Sequence, residues 1–257
     1  MAAFPSRIVC LSAEAVEILY QIGCGERIVG VTRYAAGPPE AREKPLVGGF
    51  SDVNYEKIDA LKPDLVIAFS DVQADATREL IRRGHAVLAT NQRSLNDVFD
   101  TILLIGRIVG RGPAAQKLAD EMRAEIFASV AALPVAARPK VYFEEWDEPM
   151  ISGIRWVSEL IEAAGGADIF PEFRDTPRAP DRVVTSDEVT RRAPGIIIAS
   201  WCGKRADLDA IRSRPGWDAI PAVRNNRVHE IKSAHILQPG PGLLRGFRQL
   251  REIIGKA

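Results

Sequence analysis

Residues Leu61–Ser70 read LKPDLVIAFS, and residues Arg192–Trp201 read RAPGIIIASW. Each stretch has a proline, a small or acidic residue, four aliphatic positions, and then an aromatic ring beside a serine. An unbroken aliphatic run of this length reads as a strand covered on both faces, the pattern of a parallel sheet packed between helices. Each run follows a segment that reads as a helix carrying acidic residues, NYEKIDA (54–60) or SDEVTRR (186–192). Pro63 and Pro194 mark where those helices stop. A second echo lies at nearly the same offset: RIVCLS (7–12) with EILYQIG (17–23), against KVYFEE (140–145) with VSELIEAAGG (157–166). Two echoes at one offset predict two similar lobes, each alternating strand and helix.

The segment between the repeats has no strand pattern. SLNDVFDTILLIGRIVG (94–110) offers Ser94 as an N-cap, and GPAAQKLADEMRAEIFASVAAL (112–133) places Pro113 at a first helical position. A helix of about 20 residues would run ~30 Å, long for a crossover and suited to a strut. The expected fold is therefore α/β, with two Rossmann-like lobes built on central parallel sheets. A single long interdomain helix joins them, and a ligand cleft lies between them. The boundaries are 1–110 for the first lobe, 111–134 for the helix and 135–257 for the second lobe.

Composition narrows the function classes. Thirty-four acidic residues balance 34 basic ones, so no electrostatic footprint for nucleic acid is present. No apolar run approaches the ~20 residues of a membrane span. The start, MAAFPSRIVCL, has neither a basic n-region nor a separate apolar h-region. That places the chain in the cytoplasm if Met1 is the native start. Cys10, Cys24 and Cys202 have no pairing or metal spacing.

In open parallel sheets ligands bind beyond the carboxyl ends of the strands. Those ends carry Tyr34, Phe50 (after two glycines in VGGFSD), Phe69, Trp146 with Met150, Trp201 with Cys202, and finally His235. Aromatic residues are only 7% of the chain, so their recurrence there points to a large planar or partly apolar ligand. Trp156 and Trp217 read as packing residues instead. The stretch KVYFEEWDEP (140–149) runs a strand into Glu144, Glu145, Trp146, Asp147 and Glu148. A catalytic acid/base pair would need carboxylates flanking a substrate, and adjacent positions on one strand do not supply that. No triad, P-loop or dinucleotide motif accompanies them. A metal site would need more histidines than His235. The lip of a ligand cleft is the simpler reading: Trp146 stacks, and the carboxylates orient the ligand or stay solvated. Binding, and not catalysis, is the expected activity, with no intrinsic cofactor.

NYEKIDALKPDLVIAFSD (54–71) and EEWDEPMISGIRWVSELIEAAGGADIFPE (144–172) resemble the helical-backbone, class III substrate-binding proteins of ABC importers. The likeness runs from Arg7 to the last helix. LSAEAVEILYQIG, VGVTRYAAGPP and the following N-x-E-x-I-x-x-L-x-P-D-L-V-I pattern look most like the cobalamin-binding branch. The resemblance implies two α/β lobes bridged by one long helix, a periplasmic or cell-envelope location, an ABC permease partner, and a monomer that does not insert into the membrane. It implies cobalamin or a related corrinoid as ligand, with haem or a ferric siderophore as alternatives. A cytoplasmic corrinoid-handling protein or enzyme is a third. Carried over, the corrin-packing positions are Tyr34, Phe50, Phe69, Met150 and Trp201. Trp146, Cys202 and His235 complete the expected site, the histidine as an axial or rim contact to a ligand-borne metal. Glu56 and Asp218 match the acidic residues that meet the permease.

Overall fold

The computed structural model describes residues 4–35, 37–128, 134 and 137–256. The chain divides into two compact units, residues 1–92 with 96–122 and residues 93–95 with 123–257. In the first unit the order is β1 (Ile8–Cys10), α1 (Ala13–Gln21), β2 (Ile28–Val31), α2 (Tyr55–Leu61), β3 (Leu65–Phe69), α3 (Ala74–Arg82) and β4 (Val87–Thr90), followed by α4 (Leu95–Ile108) and α5 (Gly112–Phe127). Its sheet runs β2-β1-β3-β4, parallel throughout.

The second unit contains β5 (Lys140–Asp147), β6 (Met150–Ser152), α6 (Arg155–Ala163), β7 (Ala167–Asp168), α7 (Ser186–Arg192), β8 (Ile196–Ala199), α8 (Leu208–Arg212), α9 (Pro221–Arg224), β9 (Val228–Glu230), α10 (Ser233–Ile236) and α11 (Leu243–Gly255). Strand β5 is long enough to serve two neighbours. Lys140 and Val141 pair in parallel with β7, and Glu144 to Asp147 pair antiparallel with β6. With β6 set aside, the order β7-β5-β8-β9 repeats β2-β1-β3-β4 of the first unit. The hairpin β5–β6 is thus an addition at the carboxyl end of the strand equivalent to β1. Its turn contains the cis peptide Glu148–Pro149.

The repeat extends to individual caps. Asn54 Oδ1 accepts from Lys57 N at 2.9 Å, and Thr185 Oγ1 accepts from Glu188 N at 3.2 Å. Each cap satisfies an amide that the first helical turn leaves open. Both helices that follow, α2 and α7, are 7 residues long. Both end on a left-handed residue other than glycine, Lys62 and Ala193, each at φ 48°. The prolines that come next disfavour the helical conformation for those residues and lack the amide to continue. Strands β1, β3 and β8 are buried at every position, which is why their sequences show no polar alternation.

Each unit has its own core. In the first, Val9, Leu11, Val47, Ile58, Val66 and Leu80 pack together. In the second, Tyr142 meets Phe170 and Trp217 edge-on, with ring centroids 5.8 and 6.2 Å away; such pairs contribute about 1 kcal/mol each beyond area burial. The helix expected over 111–134 is seen as the 16 residues of α5, about 24 Å long, and residues 129–133 of that span lie outside the described residues. The division into units falls within α5, between Met122 and Arg123. Among the described residues no helix is long and apolar enough to cross a membrane.

Candidate functional site

The carboxyl ends of the first sheet are tied together by one buried amide. Gln73, just before α3, is 1% exposed. Its Nε2 donates to Leu11 O at 3.0 Å and to Phe50 O at 2.7 Å, and its Oε1 accepts from Phe69 N at 2.9 Å. The ends of β1 and β3 and the Phe50 loop are therefore fixed by a single side chain. Phe50 and Phe69 meet with centroids 6.4 Å apart and planes inclined at 54°. The Phe50 loop closes tightly through Gly49 N to Asp52 O at 3.1 Å. It requires Gly48, which has φ +132° and where a Cβ would strike the Asp52 carbonyl oxygen. Tyr34, beyond β2, is 48% exposed. Glu56, in the first turn of α2, is exposed and pairs with Arg83 at 3.3 Å; Arg83 also holds Asp59 and Glu79.

Beside this rim, Glu14 opens α1 directly after β1. Its carboxyl is buried, and Oε1 finds no hydrogen-bond partner among the described residues. Burial pushes it up to about 7, partly offset by its own amide and Ser12, with Glu17 adding to the rise.

In the second unit the acidic stretch of β5 is neutralised residue by residue. Glu144 is 0% exposed. It accepts from Trp201 Nε1 at 3.1 Å, from Tyr142 Oη at 3.3 Å and from both terminal nitrogens of Arg214, the longer bond 3.0 Å. Glu145 receives a two-point pair from the buried Arg182 guanidinium at 2.8 and 3.0 Å, and Arg182 also donates to Ser152 O. Asp147 takes Lys204 Nζ on both oxygens at 2.9 Å. Burial, the largest single influence, would raise the Asp147 carboxyl, but the Lys204 hydrogen bonds, the Lys204 charge and the backbone amides of Asp147 and Glu148 together outweigh it and hold the group below its ordinary range. Glu144 does not stay solvated, being fully buried, and each of the three carboxylates has a basic partner from a later segment. A register irregularity between Glu144 and Trp146 also breaks simple alternation, so Trp146 and Asp147 both reach Lys204.

Trp201 is 4% exposed and joins the core around Tyr142 and Trp217, while Trp146 and Met150 pack against that core from its margin. Met150 Sδ lies 3.2 Å from Arg214. Cys202 is exposed with a free thiol. Trp156 and Trp217 are core residues, their indole nitrogens donating to Ile236 O and Ser186 Oγ. His235, on α10, is half-buried, with Nδ1 2.9 Å from Gln249 Nε2, which also donates to Arg245 O. Burial, with Arg245 and Lys232, lowers its pKa and favours the neutral ring. No group of three or more His, Cys, Asp or Glu among the described residues could hold a metal ion. Asp218 is exposed, in the short turn Trp217–Ala219.

The pairing of two α/β units with parallel strands is an architecture shared with solved periplasmic binding proteins. A family profile described as periplasmic binding protein matches residues 8–234. The chain belongs to that family. Members are solute-binding proteins that work with ABC permeases. This binding protein is 28% identical to the ABC transporter substrate-binding lipoprotein YvrC of Bacillus subtilis, over 97% of its own length and 80% of the relative's. It is 27% identical to the vitamin B12-binding protein of Vibrio parahaemolyticus, over 96% of its length and 88% of the relative's. The crystal structure of the periplasmic vitamin B12 binding protein BtuF of Vibrio cholerae superposes with a TM-score of 0.77 at 25% identity, covering 98% of this chain and 97% of that one.

Four residues that organise these rims escape the sequence reading: Gln73, Arg182, Lys204 and Arg214. For Lys204 a signal exists, because Gly203, two residues after Trp201, marks a reversal. For Arg182 and Arg214 none does, since their partners lie 37 and 70 residues away.

Proposed function

We propose that this chain is the solute-binding protein of an ABC importer and that its ligand is cobalamin or a related corrinoid. The ligand is recognised by the carboxyl-end rims of the two units, with Tyr34, Phe50 and Phe69 on one and Trp146, Met150 and Trp201 on the other. The observation that carries this reading is the placement of these rings at equivalent ends of repeated sheets, in a chain similar to vitamin B12-binding proteins. Flat side chains suit the face of a macrocycle, because apolar area is buried while polar edges stay wet. The paired carboxylates of β5 leave that rim nearly neutral, which suits an uncharged, amide-bearing periphery better than a strongly cationic ligand. Glu56 and Asp218, both exposed, are the residues proposed to meet the permease, and the cell envelope is the proposed location.

Calorimetry with cyanocobalamin, dicyanocobinamide and hemin tests the ligand. The expected result is one cyanocobalamin per chain with a Kd of about 1 μM or tighter, near −8 kcal/mol. Hemin binding with no corrinoid response would move the assignment to haem, and silence from all three would remove the ligand class altogether.

A further inference from the structure

The turn after β8 places a lysine on the ring faces that the proposed function gives to the ligand. Residues Trp201 to Lys204 form a four-residue turn closed by Lys204 N donating to Trp201 O at 3.3 Å. Gly203 sits at φ +76°, the left-handed conformation that a chain reversal needs and glycine supplies without strain. The reversal brings the Lys204 side chain back over its own turn. Nζ lies 4.7 Å from the centroid of the Trp201 ring and 4.2 Å from that of Trp146. Both distances are inside the ~6 Å range over which an indole face attracts a cation. Asp147 grips the same ammonium with both oxygens, so the charge is held on three sides.

We infer that Lys204 is a tethered occupant of the Trp146–Trp201 platform, and that a planar ligand gains the two indole faces only by displacing its ammonium. A simple ion pair between a half-exposed lysine and an aspartate needs no aromatic contact and no glycine-dependent reversal. Here both are present, and they direct the cation onto the rings. A group on a short tether competes at an effective concentration of the order of mM. It therefore filters out weak planar compounds while yielding to a ligand with larger buried area. The inference rests on the reading of this rim as part of the ligand site, and its test separates the two.

Lys204→Met keeps most of the stem and removes the charge, Lys204→Ala removes the stem, and Lys204→Arg keeps a cation. In the ligand-free protein, acrylamide quenching of tryptophan emission reports access to the rings. Trp156 and Trp217 are 3% and 0% exposed and Lys204 lies on neither ring, so a change in quenching comes from Trp146 and from the face of Trp201, itself 4% exposed, that Lys204 covers. Quenching rises in Lys204→Ala and stays at the wild-type level in Lys204→Arg; no rise in Lys204→Ala overturns the inference. In calorimetry with cyanocobalamin, Lys204→Met and Lys204→Ala lower the Kd about tenfold, the scale of a lost cation–π competitor. An unchanged or weaker Kd in both also overturns it. If the wild type binds none of cyanocobalamin, dicyanocobinamide and hemin, the ligand reading fails by itself. A probe that then binds Lys204→Ala supports the displaced lysine directly.

Discussion

A single carboxyl group at the start of α1 couples this protein's stability to pH. Glu14 is buried, one of its oxygens has no hydrogen-bond partner among the described residues, and its pKa rises to about 7 from an ordinary 4.5. Between those values the folded chain holds a proton that the unfolded chain has released. Stability therefore falls as pH rises through that window, and the loss is complete above the folded value. The loss is about 3 kcal/mol for a shift of this size. Glu14→Gln removes the titration, so urea unfolding should become insensitive to this group between pH 5 and pH 8, with the variant more stable than wild type at pH 8. An unchanged slope in the variant would exclude Glu14 as the source. The sequence carries no sign of the burial of Glu14, because burial depends on what the rest of the chain packs around it. Gln73 is a similar case: Phe69 is four residues away along the chain, but its bonds to Leu11 and Phe50 cross 62 and 23 residues.

The β5–β6 hairpin is the element by which the second unit departs from the first. The strand carboxylates Glu144, Glu145 and Asp147 are tolerable because each of the three finds a cation, and the most buried of them is the most dependent on its partner. Breaking a buried pair by removing one member leaves an uncompensated charge, at a cost of about 3–5 kcal/mol. Arg214→Met should lower the stability by that amount in denaturant titration followed by circular dichroism. Glu144→Gln combined with Arg214→Met should regain at least half of the loss, because the amide is neutral and still accepts from Trp201 Nε1. A double variant no more stable than the single one would show that the arginine acts through packing against Trp217 and not through the charge. The pattern of β5 was legible as a strand that ends in polar residues. What neutralises those residues was not, since the arginines come from positions with no local link to the strand.

At the scale of the whole molecule, two units repeat one sheet order, each with its own aromatic or aliphatic core. A ligand that binds only the folded chain stabilises it by mass action, by about 2.7 kcal/mol at a concentration 100 times the Kd. If scanning calorimetry resolves two unfolding transitions, cyanocobalamin should raise both, since the proposed contacts come from both units. A rise in only one would confine the site to that unit and remove the other unit's rings from it.

The sequence by itself determined the elements and their repetition. Aliphatic runs free of polar alternation, prolines after short acidic helices and the recurring offset all express local preferences, and local preferences act between residues close along the chain. The rings at the strand ends were legible for the same reason, because a parallel strand must stop where its loop begins. Only the tertiary structure decided what those rings and carboxylates touch: Glu144 with Arg214, Glu145 with Arg182, Lys204 across Trp146 and Trp201, and Gln73 across two strand ends and the Phe50 loop. Such contacts join residues tens of positions apart, and their energies arise from burial and charge pairing that exist only once the chain has folded.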